Sequence, residues 1–108
     1  MINIKRKGNE FEYETVNVFK EAGLEAKRQP LSGALFDRSL KNDIRVNLPD
    51  GKCLSVECKR RQQFSDYKLI EGVKKYCDWE LPAVIKRGDR KNSLITLYLD
   101  DFLKLLEV

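Results

Sequence analysis

A chain of 108 residues suits one folded unit spanning residues 1–108, since two domains would each be too small to hold a core. With 42% apolar and 35% charged residues it has a globular composition, which excludes a disordered segment, and no stretch approaches the apolar length of a bilayer span. The 21 basic and 17 acidic residues leave a net charge of +4, a mild bias toward an anionic partner.

Met1 to Gly8 shows neither an apolar run nor a cleavage-like site, so a cytoplasmic location is expected. From about Asn9 to Ala22 the residues Phe11, Thr15, Val18, Phe19 and Ala22 recur at helical spacing, with Gly23 as the stop. A short strand from Glu25 to Gln29 follows. Pro30-Leu31-Ser32-Gly33 then opens a loop to about Lys41, long enough in so small a chain to suggest a functional segment.

The next stretch is the most informative. Asp43 to Leu48 and Cys53 to Lys59 both alternate polar and apolar residues, and Pro49-Asp50-Gly51 between them is a turn signal. Ile44, Val46 and Leu48 share a face with Leu54, Val56 and Cys58, all at even positions, so the loop of this hairpin must have odd length. A type I turn followed by a left-handed Gly51 fits three residues. Leu48 then faces Lys52 and Asp43 falls opposite Glu57, with Cβ atoms roughly 5 Å apart. Lys59 lies two residues further, roughly 7 Å along the strand.

A second helix is expected from Asp66 to Cys77, with Ser65 as N-cap and Leu69, Ile70, Val73, Tyr76 and Cys77 on its apolar side. Ala83 to Arg87 and Leu94 to Leu99 read as two more strands around a polar turn. Asp100 or Asp101 is expected to cap a final helix carrying Phe102, Leu103, Leu105 and Leu106. Cys53, Cys58 and Cys77 have no CxxC spacing and no histidine joins them, so free, mostly buried thiols are expected rather than structural zinc.

Basic residues cluster at Lys5-Arg6-Lys7, Lys27-Arg28, Lys59-Arg60-Arg61, Lys86-Arg87 and Arg90-Lys91. Clusters in loops and at element ends fit phosphate contacts better than one solvated helix face, although ordinary surface lysines give the same count. Two opposed carboxylates repel unless a shared proton, a cation or a metal relieves them. Oxygen donors of this kind suit Mg²⁺, with Mn²⁺ as a substitute, and Lys59 adds a charge able to orient or deprotonate a water. Those parts are what phosphodiester hydrolysis needs. A surface salt bridge among Asp43, Glu57 and Lys59 would look the same.

Asn42-Asp43 followed by Val56-Glu57-Cys58-Lys59 is similar to the PD-(D/E)XK nuclease signature, with Asn in place of the usual Pro. Arg6-Lys7-Gly8-Asn9-Glu10-Phe11-Glu12 resembles the opening of the archaeal-type Holliday junction resolvases, and Arg28, Ser32 and Gly33 fall in matching places; the likeness runs from about residue 5 to residue 62. The resemblance implies a restriction-endonuclease-like α/β fold, a central mixed sheet flanked by helices. It implies an endonuclease that resolves four-way DNA junctions by paired nicks, as a homodimer on branched DNA, with no membrane and no small-molecule cofactor. Asp43 and Glu57 match the metal ligands, with Glu12 and the backbone carbonyl of Cys58 beside them, and Lys59 matches the catalytic lysine. Ser32 matches a loop serine at the scissile region and Arg28 a strand-end arginine near phosphate. Lys5, Arg6, Lys7, Arg60 and Arg61 are the further candidates for gripping DNA. Glu10 and Glu14 rival Glu12, distinguished only by their offset from Gly8, and Asp37 rivals Asp43 from within the loop. Tyr13 stands where those enzymes often carry Arg. Trp79, Leu97, Leu99, Phe102 and Leu106 suit a dimer interface or a monomer core equally well. Two other readings stay open: a nuclease of the same superfamily acting on flaps, ends or duplex DNA, and a DNA-binding module with an inactive centre.

Overall fold

The computed structural model describes residues 4–29, 42–60 and 65–106, with side chains from residue 9 onward. Ser32, Gly33, Asp37 and Arg61 lie outside the described residues, as do the side chains of Lys5, Arg6 and Lys7.

Helix α1 spans Ile4–Glu21, five residues earlier than the periodicity suggested. Gly8 is no barrier to it, because a glycine weakens a helix interior by about 0.5–1 kcal/mol without breaking it. Its buried stripe is Phe11, Thr15 and Val16 with Phe19 half-buried, whereas Val18 is 64% exposed and Ala22 is also exposed. The helix ends at Gly23, whose φ of 90° lets its N–H reach the Lys20 carbonyl while Leu24 N–H reaches that of Phe19. This paired closure is the usual way a glycine satisfies the last carbonyls.

Strands β1 (Glu25–Arg28), β2 (Ile44–Asn47) and β3 (Cys53–Lys59) form an antiparallel meander. The hairpin takes the expected register, Ile44 opposite Val56 and Val46 opposite Leu54. Gly51 sits at φ 88°, and Leu48 N–H donates to the Lys52 carbonyl at 2.8 Å to close the three-residue loop.

The chain then crosses over through α2 (Asp66–Lys74) to β4 (Leu81–Lys86), which runs parallel to β3. Ser65 caps α2 as expected, accepting from Lys68 N–H at 3.4 Å, but the helix stops at Lys74, short of Cys77. Strand β4 starts two residues before the expected Ala83; Pro82 is tolerated because it lies near the strand's beginning. Strand β5 (Leu94–Thr96) pairs antiparallel with β4, giving a mixed five-stranded sheet in the order β1-β2-β3-β4-β5. Helix α3 covers Leu99–Leu106, so Asp100 and Asp101 sit in its first turn rather than at its cap. Carboxylates there still favour the positive end of the helix dipole.

Both faces of the sheet are covered. The even-numbered face of the hairpin packs Ile44, Val46, Leu54 and Val56 against Phe11 and Val16 of α1, and Leu105 of α3 joins them. The opposite face, which the alternation marks as polar, lies under α2, where Ile70 and Val73 meet Val84. Cys53 and Ser55 are therefore buried although they belong to the polar register, because a crossover between parallel strands sets its helix on that face. Cys53 is buried, Cys58 and Cys77 half-buried, and all three are free thiols. Leu97 packs against the core, while Trp79, Leu99, Phe102 and Leu106 are exposed.

Candidate active site

Strand polarity gathers the candidate residues at one end of the sheet. Arg28 closes β1, Asp43 precedes β2, and Glu57 to Lys59 finish β3. Extending the β2–β3 register by one residue sets Asp43 opposite Glu57. Asp43 is fixed from two sides: its carbonyl accepts from Gln29 N–H at 2.8 Å, and its Oδ2 accepts from Cys58 N–H at 2.9 Å.

The electrostatics of this pair follow from the fold. Burial first, and then the charge of Asp43, push the Glu57 carboxyl from 4.5 up to about 7, against the pull of Lys59. Burial also raises Asp43, held back by the Cys58 N–H and by the charges of Lys59 and Arg28. Lys59 Nζ lies 3.4 Å from Glu57 Oε1. Two carboxyls and one ammonium thus share a half-buried spot, and the carboxyls reach the charged state reluctantly. Such mutually opposed titration is a mark of functional sites.

Glu12 reaches the same region from α1. Burial and the charge of Asp43 raise its carboxyl, while Arg28 lowers it. Of its rivals, Glu14 pairs with Arg87 at 3.3 Å, and Glu10 is exposed. Arg28 donates from Nε to Glu12 Oε1 and from Nη2 to Asn9 Oδ1, both at 3.0 Å, and its guanidinium lies 4.4 Å from the centroid of the Tyr13 ring. Tyr13 thereby stacks on the arginine near the centre. With Glu12 held this way, no three His, Cys, Asp or Glu side chains close on one point among the described residues.

Arg60 is turned away from the carboxylates. Its Nη1 donates to the Gly88 carbonyl at 3.2 Å and lies 3.5 Å from Asp89, tying the end of β3 to the β4–β5 turn. Burial and the Asp43 charge push the Cys58 thiol far up, so the side chain is inert while its amide holds Asp43.

The residue that sequence reasoning passed over is Asn42. It is 3% exposed, and its Nδ2 donates to Ser55 Oγ at 2.7 Å and to the Val73 carbonyl at 3.3 Å. Its place as the stand-in for proline in the signature was the available signal.

Residues 3–84 match the family model described as archaeal Holliday junction resolvase, Hjc. The chain belongs to the archaeal Holliday junction resolvase family. Membership makes it an endonuclease and carries the expected restriction-endonuclease-like α/β fold with it. Among solved structures, Hjc of the hyperthermophile Archaeoglobus fulgidus, itself a Holliday junction resolvase, superposes with a TM-score of 0.65. That match covers 82% of this chain and 73% of the other at 19% identity, a likeness of fold. No curated protein sequence matches the chain. No helix among the described residues is long and apolar enough to cross a membrane.

Proposed function

We propose that this chain is a metal-dependent endonuclease that resolves four-way DNA junctions by paired nicks, acting as a homodimer in the cytoplasm. The observation carrying this reading is the opposed pair of Asp43 and Glu57, with Lys59 3.4 Å from Glu57. Like charges facing each other across a sheet are unfavourable, and burial of Glu57 increases the cost. A hard divalent cation relieves both.

The donor set fits such an ion: two carboxylates and, beside them, the backbone carbonyl of Cys58 are oxygen ligands of the kind Mg²⁺ or Mn²⁺ takes. When bound, the ion supplies polarisation of the scissile phosphate and a more acidic water. Glu12, engaged by Arg28, adds negative potential and orients water rather than serving as a primary ligand. Lys59 sets its ammonium beside the carboxylates, where it orients the attacking water and steadies the charge building on phosphate as the 3′ oxygen leaves. Clustering in the sequence supports Lys5, Arg6, Lys7 and Arg61 as the phosphate contacts, and the resemblance to the family supports Ser32 as the loop serine of the scissile region. Arg28 and Arg60 act first as braces of the centre, because both are already hydrogen-bonded within the protein.

The test is a synthetic four-way junction offered with and without Mg²⁺, beside linear duplex and flapped DNA. Paired nicks in the junction that need the metal are expected, and Asp43→Asn or Glu57→Gln should abolish them while junction binding persists. Normal cutting by either variant refutes the metal assignment. Equal cutting of the three substrates refutes junction specificity.

A further inference from the structure

Asp43 stands one residue before β2, so the strand itself begins only after it. Two bonds hold the residue: its carbonyl accepts from Gln29 N–H, and its Oδ2 accepts from Cys58 N–H. Neither grips the peptide unit that leads in from Asn42. That unit is planar, and the soft dihedrals on its two sides aim the Cα–Cβ bond of Asp43.

The side chain of Asn42 supplies the missing hold. It is 3% exposed, and its amide nitrogen donates to Ser55 Oγ at 2.7 Å and to the Val73 carbonyl at 3.3 Å. A side-chain amide has two N–H groups, and here the two acceptors come from different elements. Ser55 lies in the middle of β3. Val73 lies in the last turn of α2, where helix carbonyls lack partners from the helix itself. Turning the amide away would leave buried polar atoms unpaired, so this placement of residue 42 is strongly preferred.

We propose that Asn42 is a positioning residue: clamped to Ser55 and Val73, it aims the Asp43 carboxylate at the point shared with Glu57 and thereby sets how tightly the centre takes a divalent cation. The inference rests on the metal reading above and deepens it. The amide of Asn42 is committed to acceptors within the protein, so its influence passes through Asp43. Adjacency makes that passage direct, because the two residues share one rigid peptide unit. The tolerance is small, since Mg²⁺ demands near-ideal octahedral geometry with oxygens at roughly 2.0–2.1 Å. The clamp also ties the centre to the crossover helix. Val73 packs with Ile70 against Val84, so the aim of Asp43 depends on how α2 docks on the sheet.

Calorimetric titration of Mn²⁺ into the metal-free full chain, without DNA, tests the positioning. Asn42→Ala and Ser55→Ala should each bind Mn²⁺ about tenfold more weakly than wild type or worse, the scale of losing a group that orients a metal's ligand. Ser55→Ala leaves Asn42 and Asp43 in place and removes only the acceptor, so it decides the matter alone should Asn42→Ala not fold. Single-turnover cleavage of a four-way junction should need correspondingly more Mg²⁺ for its half-maximal rate. At saturating Mg²⁺ the rate should stay within a few-fold of wild type. Leu105→Ala, which removes a core contact from α3, should melt at lower temperature and still bind Mn²⁺ as wild type does. Folded Ser55→Ala with wild-type Mn²⁺ affinity overturns the proposal and leaves Asn42 a stabilising residue only. An equal loss of affinity in Leu105→Ala overturns it too, because general loosening then explains the effect. A wild type that takes up no Mn²⁺ overturns the metal reading itself.

Discussion

Asn42 donates from its side-chain amide to Ser55 Oγ at 2.7 Å, a buried bond that ties the residue before Asp43 to the middle of β3. The same amide reaches the Val73 carbonyl of α2 at 3.3 Å. Where the nuclease signature usually has proline, whose ring fixes the backbone, this chain fixes it by hydrogen bonds. Asn42→Ala should lower unfolding free energy by roughly 1–3 kcal/mol, because the partners are left buried and unpaired. A double-mutant cycle with Ser55→Ala in urea denaturation should show coupling of about 1 kcal/mol. Simple additivity would mean that the tie has no energetic weight.

The acidic pair should make the metal-free protein less stable as pH rises. Glu57 in the folded state keeps its proton to about pH 7, whereas the unfolded chain releases it near 4.5. Between those values the folded state binds more protons than the unfolded, so stability falls with rising pH, by at most about 3 kcal/mol for this group. Asp43, also raised, acts in the same sense. Urea titrations at pH 4.5 and pH 8 in a chelator should show the decline, and Glu57→Gln should remove most of it. Mg²⁺ at pH 8 should restore stability to wild type and not to the variant.

Lys59 is 3.4 Å from Glu57 and makes its contribution where charge develops. Lys59→Ala should reduce the single-turnover cleavage rate by about 100-fold or more, the scale of losing one preorganised electrostatic group. Junction affinity should change only a few-fold. A variant that binds poorly and cuts normally when saturated would make Lys59 a DNA contact instead.

Arg28 bridges Glu12 and Asn9 and stacks on Tyr13. Lysine cannot reproduce that fork, so Arg28→Lys should be nearly as damaging as Arg28→Ala, each costing roughly 1–2 kcal/mol in thermal unfolding. Carboxyl titration by nuclear magnetic resonance should show Glu12 moving up most in Arg28→Ala, where both the hydrogen bond and the charge that lower it are gone, and less in Arg28→Lys, which keeps the charge. An unmoved Glu12 would mean that the bridge has no electrostatic hold on the site.

Much of the centre was legible because local rules determine it. Period-two alternation and Pro49-Asp50-Gly51 dictate the hairpin register, since a slip of one residue would turn Ile44, Val46, Leu54 and Val56 to the wrong face. That alone brings Asp43, Glu57 and Lys59 together. Gly23 and Ser65 mark helix ends by equally local chemistry.

What only the tertiary structure decided depends on how elements pack. The rotation of α1 about its axis separates Glu12 from Glu10 and Glu14, and it is set by burial of Phe11, Thr15 and Val16 against a sheet assembled from distant residues. The crossover helix α2 covers the polar face of the hairpin, so Asn42 finds Ser55 and Val73, which no pattern within β3 encodes. The same holds for α3: its sequence is amphipathic, and only its docking through Leu105 turns Leu99, Phe102, Leu103 and Leu106 toward solvent. Periodicity tells which residues share a face; the direction that face takes is a property of the whole packed chain.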